Sequence, residues 1–124
     1  MKSIFIPLEN KEERGDKFGL AHDYLAYATL EGAKENYDEM YNYAYRAYEI
    51  SNEIEAKKLI GISLYLLAAQ RFNISQFKQA LVHLEDAIEY HEQTHSATDL
   101  VDSLVLNSKI KIKQNEYSSA LDSI

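Results

Sequence analysis

His91, Glu92 and His95 stand within the segment HEQTH and match H-E-x-x-H, a pattern in which two histidines four residues apart hold zinc and the glutamate acts as general base. That chemistry needs both imidazoles on one face of an unbroken, buried helix, with a third ligand close by. Here the segment falls where a helix over 76–93 should end, and Thr94, Ser96 and Thr98 supply caps for the next one. The segment therefore reads as a helix terminus, and a zinc hydrolase using these residues is the remotest alternative. The acidic runs Glu12–Glu13 and Glu85–Asp86 read as solvated helix faces, and paired carboxylates without a pocket predict no acid-base chemistry. The absence of cysteine excludes disulfides, thiolate zinc sites and cysteine nucleophiles, and no glycine-rich phosphate loop is present. The expectation is a protein that is not an enzyme and carries no cofactor or metal.

The elements that would position these groups are helices. One proline and four glycines leave few places to turn, and from about residue 12 the apolar residues recur at three- and four-residue steps. Asn36 with Glu39, and Asn52 with Glu55, have the spacing of a capping box, and Ser75, Ser96 and Asn115 mark three further starts. These signals predict helices over 12–34, 37–51, 53–72, 76–93, 97–114 and 116–124. The segment SKIKIKQ, 108–114, alternates lysine with isoleucine in the manner of a strand, but its flanks are helical in period and it is assigned to helix.

A second period, of about 40 residues, lies above the helical one and falls in the range of repeat architectures. Tyr37, Phe77 and Tyr117 are evenly spaced at that interval, and each is followed three positions later by Met40, Ala80 or Ala120. Ala28, Ala68 and Ser108 form a second series, and Ala47 and Ala87 a third. Short side chains at fixed points of paired helices let two helix axes approach closely.

This pattern resembles the tetratricopeptide repeat, a helix-turn-helix unit that stacks into a right-handed superhelix. The second repeat carries the resemblance best, as L-x-x-L-A from Leu64 to Ala68 followed by Phe77, Ala80, Leu84 and Ala87. The first repeat matches at Tyr24, Tyr27, Ala28, Tyr37, Met40, Ala44 and Ala47, and the third at Leu104, Ser108, Tyr117 and Ala120. The resemblance spans residues 21–124 and implies an all-α solenoid of about three antiparallel helix hairpins, with repeats near 21–60, 61–100 and an incomplete 101–124. The unit is longer than the family's usual one of about 34 residues, and in this it is similar to the long variants of bacterial regulators. The surplus is expected to lengthen the first helix of each pair through EIEAKKLI, 53–60. The family's helix-ending proline is replaced by Asn52 and Glu92.

What the family's concave groove implies here, residue by residue, is a lining of His22, Leu25 and Thr29, then Ile62, Tyr65, Ala69 and Phe72, then Asp102, Val105, Lys109 and Ile112. Relatives that grip acidic peptide tails carry lysine where this chain has Leu25, Tyr65 and Val105, so no carboxylate clamp is expected. The partner would be a protein or peptide segment with apolar character. One internal candidate for the groove is IFIPL, residues 4–8, read as extended by its proline.

Five of the ten tyrosines lie in YDEMYNYAYRAYEI, 37–50. Tyr37, Tyr41 and Tyr48 fall within about 40° on one helical face. Phe77, Leu81 and Ile88 occupy the matching places of the next repeat, so these three tyrosines are read as packing. Tyr43 and Tyr45 correspond to His83 and Glu85 and are read as solvent-facing, available to a partner.

Composition narrows the partners further. Thirteen basic against 20 acidic residues give a net charge of −7, which repels a phosphate backbone, so nucleic acid is not expected. No run of about eighteen apolar residues offers a membrane span, and MKSIFIPLENKEERG lacks the pattern of a signal peptide; cytoplasm is the default location. The 124 residues suit one domain, expected to be an excerpt of a longer regulatory or sensor protein because YSSALDSI resembles half of a second helix. The alternative is a free-standing adaptor or chaperone that dimerises through its open third hairpin.

Overall fold

Burial follows a single stripe twice. Met40, Ala44, Ala47 and Ser51 are buried in one helix, and Ala80, Leu84, Ala87 and His91 occupy the same four places one repeat later. Steps of four, three and four keep these side chains on one helical face. The computed structural model describes the backbone of residues 6–122 and the side-chain surroundings of 15–122. Within that span the chain is all-helical: α1 (Ile6–Ala33), α2 (Tyr37–Glu53), α3 (Lys57–Asn73), α4 (Phe77–Gln93) and α5 (Ala97–Asp122), with no strand among the described residues.

Each helix packs on its neighbours in the chain, and α3 also touches both α1 and α5. Among the described residues α2 meets neither α4 nor α5. Helix α3 is accordingly buried nearly all round: Leu59, Ile60, Gly61, Ser63, Leu64, Leu66, Leu67, Ala68 and Gln70 are all shielded. A helix with neighbours on several sides needs apolar or small residues on several sides.

Four turns of one kind join the helices. Glu35, Glu55, Ser75 and His95, evenly spaced along the chain, take left-handed conformations with φ of 64°, 55°, 63° and 54°. At each, the residue after it donates its amide back five positions: Asn36 to Glu31 at 2.8 Å, Ala56 to Ser51 at 2.9 Å, Gln76 to Arg71 at 2.8 Å and Ser96 to His91 at 2.9 Å. Together with the shorter bond from the left-handed residue's own amide, this is the Schellman arrangement, which satisfies carbonyls that the helix end would leave open. Positions 36, 56, 76 and 96 then accept the first amide bond of the next helix, so one short link both closes a helix and opens another.

Several expectations change once the turns are seen. No cap side chain bonds an amide at Asn36, Ala56 or Gln76; Asn36 instead donates its side-chain amide to Glu31 Oε1 at 2.8 Å. Asn52 lies in the last turn of α2, so the predicted capping box with Glu55 does not start α3, which begins at Lys57. The surplus length of the repeat is shared evenly, since α2, α3 and α4 each have 17 residues. SKIKIKQ is helical, with Ile110 fully buried between exposed lysines.

The break expected at Asn115 does not occur. Helix α5 runs unbroken through it for 26 residues, as one helix in place of 97–114 and 116–124, whose last two positions lie outside those described. No helix packs on the outer side of α5 among the described residues, which leaves Ser108 exposed although Ala28 and Ala68 are fully buried. Residues 6–8 are the first turn of α1 rather than extended, a position that proline tolerates; the side chains of IFIPL lie outside the described residues.

Candidate partner-binding cleft

Helices α1, α3 and α5 border a cleft of about 210 Å³ whose walls come from three sequence regions. From α3, Ile62 and Tyr65 project into it beside the buried Leu66; α1 contributes Thr29; α5 contributes Asp99 and Asp102; His91 of α4 closes the base. Asp99 and Asp102 share a face because they stand three positions apart in the first turns of α5, where the helix N-terminus favours a negative charge.

The base of the cleft exists because Gly61 leaves room for it. A Cβ on Gly61 would stand 2.9 Å from the His91 ring and 3.1 Å from Cβ of Tyr90. One repeat earlier the two positions are Ala21 and Ser51. Ser51 satisfies its hydroxyl on the carbonyl of Ala47 at 2.7 Å, whereas His91, 1% exposed, has no hydrogen-bond partner on either ring nitrogen. Burial lowers the pKa of His91 below the ordinary histidine value, with Lys58 acting in the same direction and Asp99 and Asp102 against it. Burial raises the pKa of the Tyr65 hydroxyl, and Asp102 and Asp99 reinforce the shift. Tyr65 thus stays protonated, a donor as well as an acceptor. Lys58 reaches Asp99 at 3.5 Å and donates to the hydroxyl of Ser96 at 3.1 Å.

Of the residues assigned to the groove from sequence, Thr29, Ile62, Tyr65 and Asp102 meet in this cleft. Leu25 does not: at 6% exposure it is part of the core. His22 is exposed and stacks at a tilt on Phe18, 4.9 Å between ring centroids. Ala69 and Phe72 are half-buried against the core, with the Phe72 ring 6.0 Å from that of Phe77, and Val105, Lys109 and Ile112 are exposed on α5 beyond the cleft. His91 and Asp99 are cleft residues that the groove assignment missed. Two signals point to His91, and none to Asp99: the stripe 80, 84, 87 leads in one more step of four to 91, and Gly61 in the place of Ala21 in the repeat marks where extra room is made.

The tyrosines divide differently from the expectation. Tyr37, Tyr41 and Tyr48 are half-buried against the core, as packing requires, but so is Tyr43. Tyr43 lies against α1, its ring 5.9 Å from Tyr24 and 5.4 Å from Tyr27. A large ring on the flank of a close α1–α2 contact gains apolar cover there, and its counterpart His83 is likewise half-buried. Tyr45 is 40% exposed, and its ring stands 5.8 Å from Tyr41 and 6.0 Å from Tyr48. Arg46 and Arg71 sit over the rings of Tyr24 and Tyr41 at 5.3 Å and 4.8 Å.

The H-E-x-x-H segment does not form one helical face. Helix α4 ends at Gln93, and His95 is the left-handed residue of the turn, while His91 is buried at the base of the cleft. Among the described residues no three histidine, aspartate or glutamate side chains are placed to share a metal ion. No described helix is long and apolar enough to cross a membrane. The chain matches no known family model, no curated protein and no solved structure.

Proposed function

We propose that this chain is a non-enzymatic module that binds a protein or peptide segment along the side lined by α1, α3 and α5. On this reading the helix pairs are hairpins of a tetratricopeptide-like solenoid, and the long repeat unit suits the sensor or interaction domain of a regulatory protein. Supporting it are the repeat register, the restriction of contacts to helices one or two apart in the chain and the shared turn geometry. The observation that carries the reading is the meeting of Thr29, Ile62, Tyr65 and Asp102, from three separate helices, in one cleft. Few convergent polar groups on apolar walls are the usual composition of a recognition site.

A displayed library of random peptides, selected on the immobilised protein, tests this. Enriched peptides should bind in solution, should lose affinity on Tyr65→Ala and should keep it on Tyr45→Ala. Selection that enriches no peptide, or equal losses from both variants, would sink the reading. Self-association through α5 is the second reading, favoured by the exposure of Val101, Leu104, Val105, Ile112 and Leu121. Sedimentation over a wide concentration range decides it: dimerisation that Leu104→Glu abolishes supports it, and a monomer throughout refutes it.

A further inference from the structure

Two features of the cleft ask for a ligand of one chemistry. The first is the buried His91, whose ring nitrogens meet no partner although the matching Ser51 of the first helix pair is fully satisfied. Burying a polar group without a hydrogen bond is costly, so such a group at the base of an open cleft is poised to bond something that enters. The second is charge. Asp102 has no ion-pair partner among the described residues, and Asp99 has only Lys58 at 3.5 Å, whose side chain is 61% exposed. Acceptors therefore exceed donors, and two carboxylates face one ammonium.

These features exclude some guests and select another. An anion would meet the two aspartates. A metal ion is not selected either, because among the described residues no three histidine or carboxylate groups, His91, Asp99 and Asp102 included, are placed to share one. At about 210 Å³ the space exceeds what a single water needs, since each water occupies about 30 Å³ of liquid. The walls of Ile62, Leu66 and the Tyr65 ring are apolar, which suits a flat, weakly hydrated cation better than a compact, strongly hydrated ammonium. A guanidinium also carries five donors in a fixed plane, enough to engage both aspartates and a ring nitrogen at once.

We propose that the cleft between α1, α3 and α5 receives a guanidinium group, delivered as an arginine side chain of the bound partner. The inference rests on the partner-binding reading of this groove and adds what the partner must present there. The carboxylates of Asp102 and Asp99 accept its N–H groups, His91 accepts from its inner edge, and the Tyr65 ring packs against its stem.

Titrating isotope-labelled protein with N-acetyl-L-arginine N-methylamide, followed by amide NMR, tests the site directly, with the citrulline analogue as the uncharged isostere. The expected result is that the Tyr65 and Asp102 amides shift with the arginine probe and not with citrulline. Asp102→Asn, an exposed change that leaves the core untouched, should weaken binding about tenfold or more, and Asp86→Asn on α4 should not. No shift in the cleft, equal shifts from citrulline or unchanged affinity in Asp102→Asn would overturn the proposal. Agmatine separates the sources: if it binds as tightly as arginine-bearing peptides, the guest is a free cation and delivery by a partner is wrong. Peptides that bind the groove without a shared arginine sink this inference alone, whereas failure to select any peptide sinks the partner-binding reading, and the arginine probe still decides the site.

Discussion

The two helix pairs related by the repeat fill the same positions in different ways. In the first pair, Ala44 and Ser51 lie in the buried stripe, and bulk comes from the flanks, where Tyr24, Tyr27 and Tyr43 cluster. In the second pair the matching places hold Leu84 and His91, and the flanks are Leu64, Leu67 and His83. The second pair sits between neighbours on both sides, so Leu64 and Leu67 are 4% and 2% exposed, while Tyr27 on α1 is 50% exposed. The repeat therefore specifies where helices touch, and the neighbours decide how large and how polar the touching residues are. Where small and large are exchanged, as at Gly61 and His91, a cleft opens.

The largest test of that contrast is Leu84→Ala, which gives the second pair the first pair's residue. Leu84 is fully buried, so the change should cost about 2–5 kcal/mol in urea unfolding. A loss below about 1 kcal/mol would show that the surroundings collapse onto alanine as easily as they do at Ala44. Next in size is Gly61→Ala, which drives a methyl into the His91 ring and should cost about 1–3 kcal/mol. Adding His91→Ser recreates the Ala21 and Ser51 combination of the first pair and should recover most of that loss. Absence of recovery would mean that Tyr90 rather than His91 sets the limit.

Smaller effects are expected at the turns. Glu55→Gly removes the strain of a left-handed glutamate and should stabilise by about 1 kcal/mol. Asn115→Gly, three steps further along the same even spacing of turn positions, should instead destabilise by a few tenths of a kcal/mol because α5 is helical there. The same sign at both sites in urea unfolding would place a turn at Asn115.

The smallest effect is one of pH. His91 and His83 both have folded-state pKa values below the ordinary 6.5, first because of burial; Lys58 reinforces and Asp99 and Asp102 oppose the shift at His91, and Arg71 reinforces and Asp86 opposes it at His83. On acidification the unfolded chain takes up these protons before the folded one, so their contribution is intact above about pH 6.5 and declines as pH falls below it. In thermal melts between pH 7 and 5, His91→Ser should flatten the decline; an unchanged slope would assign it to His83 or to carboxylates.

Much of this is legible in the residues. The three- and four-residue spacing of apolar side chains predicts the helices, and the recurrence of Tyr37 as Phe77, and of Ala47 as Ala87, places equivalent contacts correctly. Thr29, Ile62, Tyr65 and Asp102 are grouped in the sequence only by the resemblance to the tetratricopeptide groove, and in the structure they line one cleft. Turn chemistry is not legible. Glutamate, serine and histidine adopt the left-handed conformation at 35, 55, 75 and 95, whereas Asn115, the residue of that set best suited to it, remains helical.

The helical class and the register can therefore be read from the residues alone, because both follow from periodicities carried along the chain. Where a helix stops, which tyrosines are covered and which apolar groove residue is core depend on how the helices pack. A left-handed residue costs free energy locally, and it is stable only where the helix beyond it has a surface to bury against; α2, α3, α4 and α5 each have one on the preceding helix, whereas residues 115–122 stay exposed along α5, with the Tyr117 ring 5.2 Å from that of Phe77. Tyr43 and Leu25 follow the same logic: Tyr43 is covered where α2 meets Tyr24 and Tyr27 of α1, and Leu25 belongs to the core that the packed helices share. The cleft too is a product of packing, made where Gly61 lets His91 lie beneath two aspartates contributed by another helix.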